Sequence, residues 1–571
     1  TGTLKYGYDA LGNKTSVQKV VGGSITGTLF YDYDVLHRLW RVRDGFGVLC
    51  EYSYDAVGNR KTVARRNGVG TVYEYDAQNR LQSMAHAKDG VITSLFEYSL
   101  NQDGKRAQLR EQLTHPASST VASVARTIDY GYDAVGRLQS ETRQERQNVR
   151  AGGISEATKQ YEYSYDNANN RLTQSIKNYN GLGVAATLQN SVATAYNYNI
   201  ADELLQHTTN NYDATGTLTT SSSTSYGYDD NGNQTSVTTG GSATNYTYSF
   251  EDKLLSVTNA STQHAYSYDA GGNRLSQVTT TGGNTKSRFY LVDTSVAYAQ
   301  VVEERDENGV LQASYTTTDN GELISGSWLN DQNALETRYY LSDGHSSTRQ
   351  LSDTNGSISD AYSFDGWGNS VESVGATANS FLYNGQQKDE TGLYHLRARQ
   401  YNPGTGRFLS HDPLLGNGET PVTLHRYLYA GADGINYIDP TGESFVGALA
   451  VGGLRLAIGA ATIGAISHVA NTGSVAPETI FDGAIEGIGG FALMPYQLAT
   501  DFGGTVEGAF DYFRGLGDIL TSPNSTPTQK IAAATALGLS AAALLEGGYR
   551  TTKAAPQATQ SFKQAANRIG R

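Results

Sequence analysis

The residues in this chain that could do chemistry fall into three kinds. Tyrosine and aspartate recur together, as EYSYDAVGNR at 51–60, YGYDALGNK from Tyr6, YEYDAQNR from Tyr73, YGYDAVGR from Tyr130 and YSYDAGGNR from Tyr266. Rings beside carboxylates suit carbohydrate, the ring stacking on a sugar face while the carboxylate accepts its hydroxyls. The second kind is a pair of Asp-Pro dipeptides, Asp412-Pro413 and Asp439-Pro440. Carboxylates can move protons in hydrolysis, yet Asp-Pro also starts turns, and DPTG is a good turn sequence by itself. The third kind is isolated. His345-Ser346 in SDGHSSTR has the composition of a nucleophile and its base, but neighbours on a strand point to opposite faces, so a turn is expected. Cys50 has no histidine nearby and reads as a buried, inert thiol. As the only cysteine it excludes an internal disulfide framework and any CxxC site. His468 stands alone in an apolar stretch and reads as packed or capping. GxxxxGK[ST] and HExxH are absent, so no cofactor or metal is implied.

The elements that must position these groups follow from the repeat. In Tyr52-Ser53-Tyr54 the rings sit two apart, so a strand puts both on one face. Asp55 comes where the strand must end, and its carboxylate can accept from amides two or three residues on. Gly58-Asn59 tolerates the positive φ of a tight reversal, and Arg60 or Lys14 can lie over a neighbouring ring. The aspartate position recurs at 9, 34, 55, 76, 101, 133, 166, 199, 229, 249 and 269, with worn copies such as YTYSFEDK from Tyr246. No single unit buries its own apolar face, so successive hairpins must stack. Inserts such as NNYDATGTLTTSSST suit long loops or extended hairpins. Turn and core duty accounts for every repeat position.

Eleven tandem copies resemble the YD-repeat proteins of the Rhs family, which includes the C components of insecticidal Tc toxins and, distantly, teneurins. The segments YYLSDGHSSTRQLSDTNG (339–356), YSFDGWGNSV (362–371), FLYNGQQKDETGLYHLRARQYNPGTGRFLSHDPL (381–414) and INYIDPTGE (435–443) resemble the Rhs repeat-associated core. The resemblance implies a mainly β fold, with YD-repeat hairpins wound into a hollow shell that a core plug closes. It divides the chain into repeats (1–285), core (286–443) and a variable C-terminal effector or translocation region (444–571).

The family's core is associated with self-cleavage after a DPxGL-type motif, and the resemblance carries that role onto Arg399, Asp412 and Asp439, with the cut between Glu443 and Ser444. The chemistry suits the residues: two carboxyls sharing a proton offer a base for water and an acid for the leaving amine, and an arginine can hold the ionised partner. Two departures stand out. Glu443 occupies the place of an apolar residue, and extra residues lie within GNGETPVT (416–423).

Past Glu443 the composition turns to Ala, Gly, Leu and Ile, and 444–470, 484–499 and 531–545 read as apolar helices, buried or inserting during delivery. Residues 550–571 carry five positive and no acidic side chains, the composition of a solvated helix with a basic face. The chain opens on Thr-Gly in mid-repeat, as a segment of something longer would. Net charge of −13 argues against direct nucleic-acid binding by the shell and favours solubility.

Taken together, these readings describe a secreted or cell-surface bacterial polymorphic toxin that cuts loose its own C-terminal segment. Its partners would be that segment as cargo, a secretion spike or Tc-type component, a cognate immunity protein and a target-cell membrane. The competing reading is a non-enzymatic surface protein for adhesion or carbohydrate binding. A nucleic-acid enzyme within 444–571 is a third.

Overall fold

The structure is a computed structural model that describes residues 2–416, 421–443 and the backbone of 446–447. The expected apolar helices, the basic segment, His468 and Ser444 lie outside the described residues.

Thirty strands, from Gly2–Tyr8 to Ser370–Val374, form one antiparallel sheet in which each strand pairs with its chain neighbours. In the pair that flanks EYSYDAVGNR, Tyr52 faces Val63 and Tyr54 faces Arg60. The turn between them closes through Asp55, whose amide donates to the Asn59 carbonyl at 2.9 Å. Asp55 Oδ1 accepts from the amides of Val57 (3.1 Å) and Asn59 (2.8 Å), and Oδ2 from Asn59 Nδ2 (2.9 Å). The carboxylate thus spans residues two and four on, one further than the sequence predicts. Gly58 sits at φ 99°, the left-handed conformation this reversal requires. Arg60 lies 5.0 Å from the Tyr52 ring, the cation–π contact expected of it.

In many units the second tyrosine ties the unit to the one before. Tyr54 donates to the Leu39 carbonyl at 2.7 Å, Tyr75 to Arg60 at 3.0 Å, Tyr165 to Leu138 at 2.6 Å and Tyr268 to Leu254 at 2.8 Å. Each hydroxyl reaches the first residue of a strand in the previous unit. The insert region forms extended hairpins, the strands from Val121–Tyr132 to Leu218–Tyr228 reaching 10 to 12 residues.

The sheet then coils back on itself. Tyr6 donates to Asp293 (2.9 Å), Tyr33 to Asp319 (3.0 Å), and Arg60 grips Glu322 with two hydrogen bonds (2.8 and 2.7 Å). Further along, Arg349 reaches Glu111 (2.7 Å) and Arg143 reaches the Phe364 carbonyl (2.8 Å). Strands near residue 300 therefore lie over strands near residue 20, and their side chains share a core: Ile324 and Tyr339 pack with Tyr31, Tyr52, Met84 and Phe96. Cys50 is buried in the same core, and burial raises its thiol pKa.

Residues 381–443 form a compact body of short strands and turns around Tyr383, Tyr394, Tyr401, Phe408 and Tyr429, with Tyr401 stacked on Tyr429 at 4.0 Å. Side chains from the sheet pin it: Arg274 to Asp389 (2.6 Å), Lys105 to Asp433 (2.9 Å) and Tyr427 to the Gly232 carbonyl (2.7 Å).

Candidate self-cleavage site

Arg399 begins the strand Arg399–Asn402, third in a four-stranded sheet within the core body. Its guanidinium is buried 3.6 Å from the centroid of the Phe408 ring. Nη2 lies 2.7 Å from Asp412 Oδ2 and 3.4 Å from Asp439 Oδ2. Nη1 donates to the Arg426 carbonyl at 3.1 Å, and Nε donates to the carbonyl of Gly442. One cation therefore gathers two carboxyls that are 27 residues apart in sequence, together with the backbone just before the expected cut.

Asp439 is placed by its own turn. Its Oδ1 accepts from the amides of Gly442 (2.8 Å) and Glu443 (3.2 Å) and from the Thr441 hydroxyl (3.4 Å). Gly442 is at φ 76°, and a Cβ there would stand 2.3 Å from the Leu396 carbonyl oxygen. The turn is docked onto the core through the Ala398 amide, which donates to Thr441 O at 3.0 Å. Asp412 is fixed by its amide to the Arg426 carbonyl (2.8 Å), while its Oδ1 accepts from Leu414 N (2.9 Å).

Burial governs the electrostatics. It pushes Asp412 up to about 6, with Arg399 opposing and Asp439 adding to the rise. Burial likewise draws Arg399 down despite both carboxyls, and lifts Glu443, which Lys253 opposes. Desolvation thus outweighs the ion pair on both of its partners. A carboxyl whose pKa is raised toward neutrality beside a second carboxyl has the chemistry to serve as one member of an acid–base pair.

All the described residues expected at this site meet there: Arg399, Asp412, Asp439 and Glu443. His345 and Ser346 do not form a pair. They occupy a turn in which Asp343 Oδ1 accepts from His345 N (2.9 Å), with His345 buried beside Tyr383 and Ser346 exposed at φ 62°. Sequence reasoning missed Arg397, which stacks on Tyr298 at 4.4 Å and donates to Ala299 O (2.8 Å), Gln300 Oε1 (3.0 Å) and the carbonyl of Pro440. Two arginines thus hold two carbonyls of one turn. The alternation in LRARQY was the available signal.

A coiled meander of aspartate-closed hairpins, with an arginine-bridged carboxyl pair in the body it holds, defines a YD-repeat protein. The chain belongs to the teneurin YD-shell family, whose model matches residues 1–151 and 141–435. It is similar to the tRNA3(Ser)-specific nuclease WapA of Bacillus spizizenii, 30% identical over 230 residues, which are 40% of this chain and 9% of that protein. Similarity extends to salivary gland surface protein 1 of Aedes aegypti, 31% identical over 193 residues, 30% of this chain and 5% of that protein. The chain thus spans under a tenth of the length of these relatives. Among solved structures it is similar to TcdB2-TccC3-TEV, with TM-score 0.43 and 14% identity over 77% of this chain and 23% of that one.

Proposed function

We propose that this chain is the shell of a polymorphic toxin and that it severs its own C-terminal segment between Glu443 and Ser444. The observation that carries this reading is the convergence of Asp412 and Asp439 on Arg399, against the turn that ends at Glu443. In the proposed step Asp439, held as a hydrogen-bond acceptor, takes a proton from water as the water oxygen attacks the Glu443 carbonyl carbon. Asp412 delivers its proton to the departing nitrogen of Ser444. The carbon–nitrogen bond breaks, leaving a carboxyl on Glu443 and an amine on Ser444, with one water consumed. Arg399 holds the carboxyls and the Gly442 carbonyl in register, so the bond is presented rather than captured from solution.

The WapA relatives, named as tRNA nucleases, support a toxin cargo in the 128 residues from 444 to 571, held by the shell until release. Secretion or surface display by a bacterium, a delivery partner and an immunity protein belong to the same proposal. The carbohydrate reading has no comparable focus. The second tyrosines of the repeat, such as Tyr54 and Tyr75, spend their hydroxyls on backbone carbonyls, the first tyrosines such as Tyr52 and Tyr163 are buried, and the aspartate of the Asp55 turn spends its carboxylate on that turn. Denaturing electrophoresis tests the proposal: wild type should separate into two pieces, and Asp412→Asn and Asp439→Asn should each remain one. Equal cleavage in all three chains would overturn it.

A further inference from the structure

Three consecutive residues hold three consecutive carbonyls of the turn that ends at Glu443. Arg397 Nη1 donates to Pro440 O, the Ala398 amide to Thr441 O (3.0 Å) and Arg399 Nε to Gly442 O. Arg397 and Ala398 form the two-residue turn between the strands Tyr394–Leu396 and Arg399–Asn402, where Leu396 faces Arg399. Arg397 stands there at φ 58°, a left-handed conformation that favours glycine or asparagine. Backbone fit therefore does not account for an arginine at this place, and the reason has to lie in its side chain.

The guanidinium spends its donors on neutral acceptors from three separate parts of the chain. Besides Pro440 O in the cleavage turn, it donates to Gln386 Oε1 in the core body. From the large sheet it takes Ala299 O (2.8 Å) and Gln300 Oε1 (3.0 Å), with its face on the Tyr298 ring at 4.4 Å. Gln300 is buried and opens the strand Gln300–Arg305, where it pairs in register with Asp293. Asp293 in turn accepts the Tyr6 hydroxyl of the first strand at 2.9 Å. The hairpin that carries 298–300 is therefore part of the seam at which the coil meets its own first strand.

We propose that Arg397 is a positioning residue for the scissile turn and that it acts only with the sheet segment 298–300 docked, so that the closed shell completes the self-cleavage site. The inference rests on the self-cleavage reading. A guanidinium has donors and no acceptor, and each donor turned away from water needs a partner. With Tyr298, Ala299 and Gln300 undocked, Nε and Nη2 lose their acceptors, and the side chain turns to water and away from Pro440 O. Pro440 directly follows Asp439, so the base then loses its register with the bond to be cut. A chain whose coil has not closed keeps its C-terminal segment attached.

The test follows release of residues 444–571 by intact mass in full-length chains. Gln300→Leu should slow release about tenfold, the scale of one hydrogen bond to a charged group. Gln300→Glu, which keeps an acceptor for Nη2, should stay within about threefold of wild type. Arg397→Met should slow release about a hundredfold, and Arg397→Lys about tenfold because one ammonium cannot span the sheet and the turn. In the Arg397→Met chain, Gln300→Leu should cost nothing further. Arg397→Gly, which suits φ 58°, takes its place if that chain fails to fold. Tyr54→Phe loses a hydrogen bond elsewhere in the sheet and should leave release unchanged, which separates this contact from general loosening of the shell. Release that is indifferent to Gln300, that Tyr54→Phe slows equally, or that Gln300→Leu slows as much in Arg397→Met as in wild type overturns the inference alone. A wild-type chain that never cleaves overturns it together with the reading beneath it.

Discussion

Release should slow as pH rises through 6. Asp412 is pushed from the ordinary 3.8 to about 6, chiefly by burial, against the pull of Arg399 at 2.7 Å. If Asp412 donates the proton, the competent fraction of chains is the fraction still protonated there. That fraction is about one in ten at pH 7 and about one in a hundred at pH 8. The rate should therefore fall about tenfold per pH unit above 6. Because the folded value lies above the unfolded one, the stability linked to this proton is fully present below about 4 and is lost as pH rises through 6, at most about 3 kcal/mol. A labelled pulse of cell-free synthesis, chased into buffers from pH 5 to 9 and quenched at intervals, would give the rate at each pH. A rate that is flat or rising between pH 6.5 and 8.5 would refute Asp412 as the proton donor.

Three further outcomes are expected. Gly442→Ala drives a Cβ to 2.3 Å from Leu396 O at a left-handed φ, so it should abolish cleavage by intact mass and lower stability by about 1–3 kcal/mol in denaturant melts. Tyr54→Phe removes the 2.7 Å hydrogen bond to Leu39 O and should cost about 1 kcal/mol in the same melts with no change in cleavage. Arg126→Met removes the cation that Glu111, Glu145 and Glu372 share, leaving Glu111 with Arg349 alone, and should cost about 3–5 kcal/mol, with faster limited proteolysis where the two passes of the sheet meet.

Much of the repeat was legible because its logic is local. Asp55, Gly58 and Asn59 act on one another within four residues, and the spacing of Tyr52 and Tyr54 sets their common face. The hydroxyl of Tyr54 was not legible, since its partner is a backbone carbonyl in the unit before, which carries no residue signature. The same holds for Tyr6 and Asp293, partners 287 residues apart whose meeting depends on the pitch of the coil. At the site, the roles of Arg399, Asp412 and Asp439 came from family resemblance, because two Asp-Pro turns look alike whether or not an arginine joins them.

The most direct test of the account is the intact mass and the amino-terminal sequence of the small fragment from purified wild-type protein. The account predicts a fragment of 128 residues beginning at Ser444, present in wild type and missing from both Asp412→Asn and Asp439→Asn. An uncut 571-residue chain, or a cut that begins elsewhere and survives both substitutions, would contradict it.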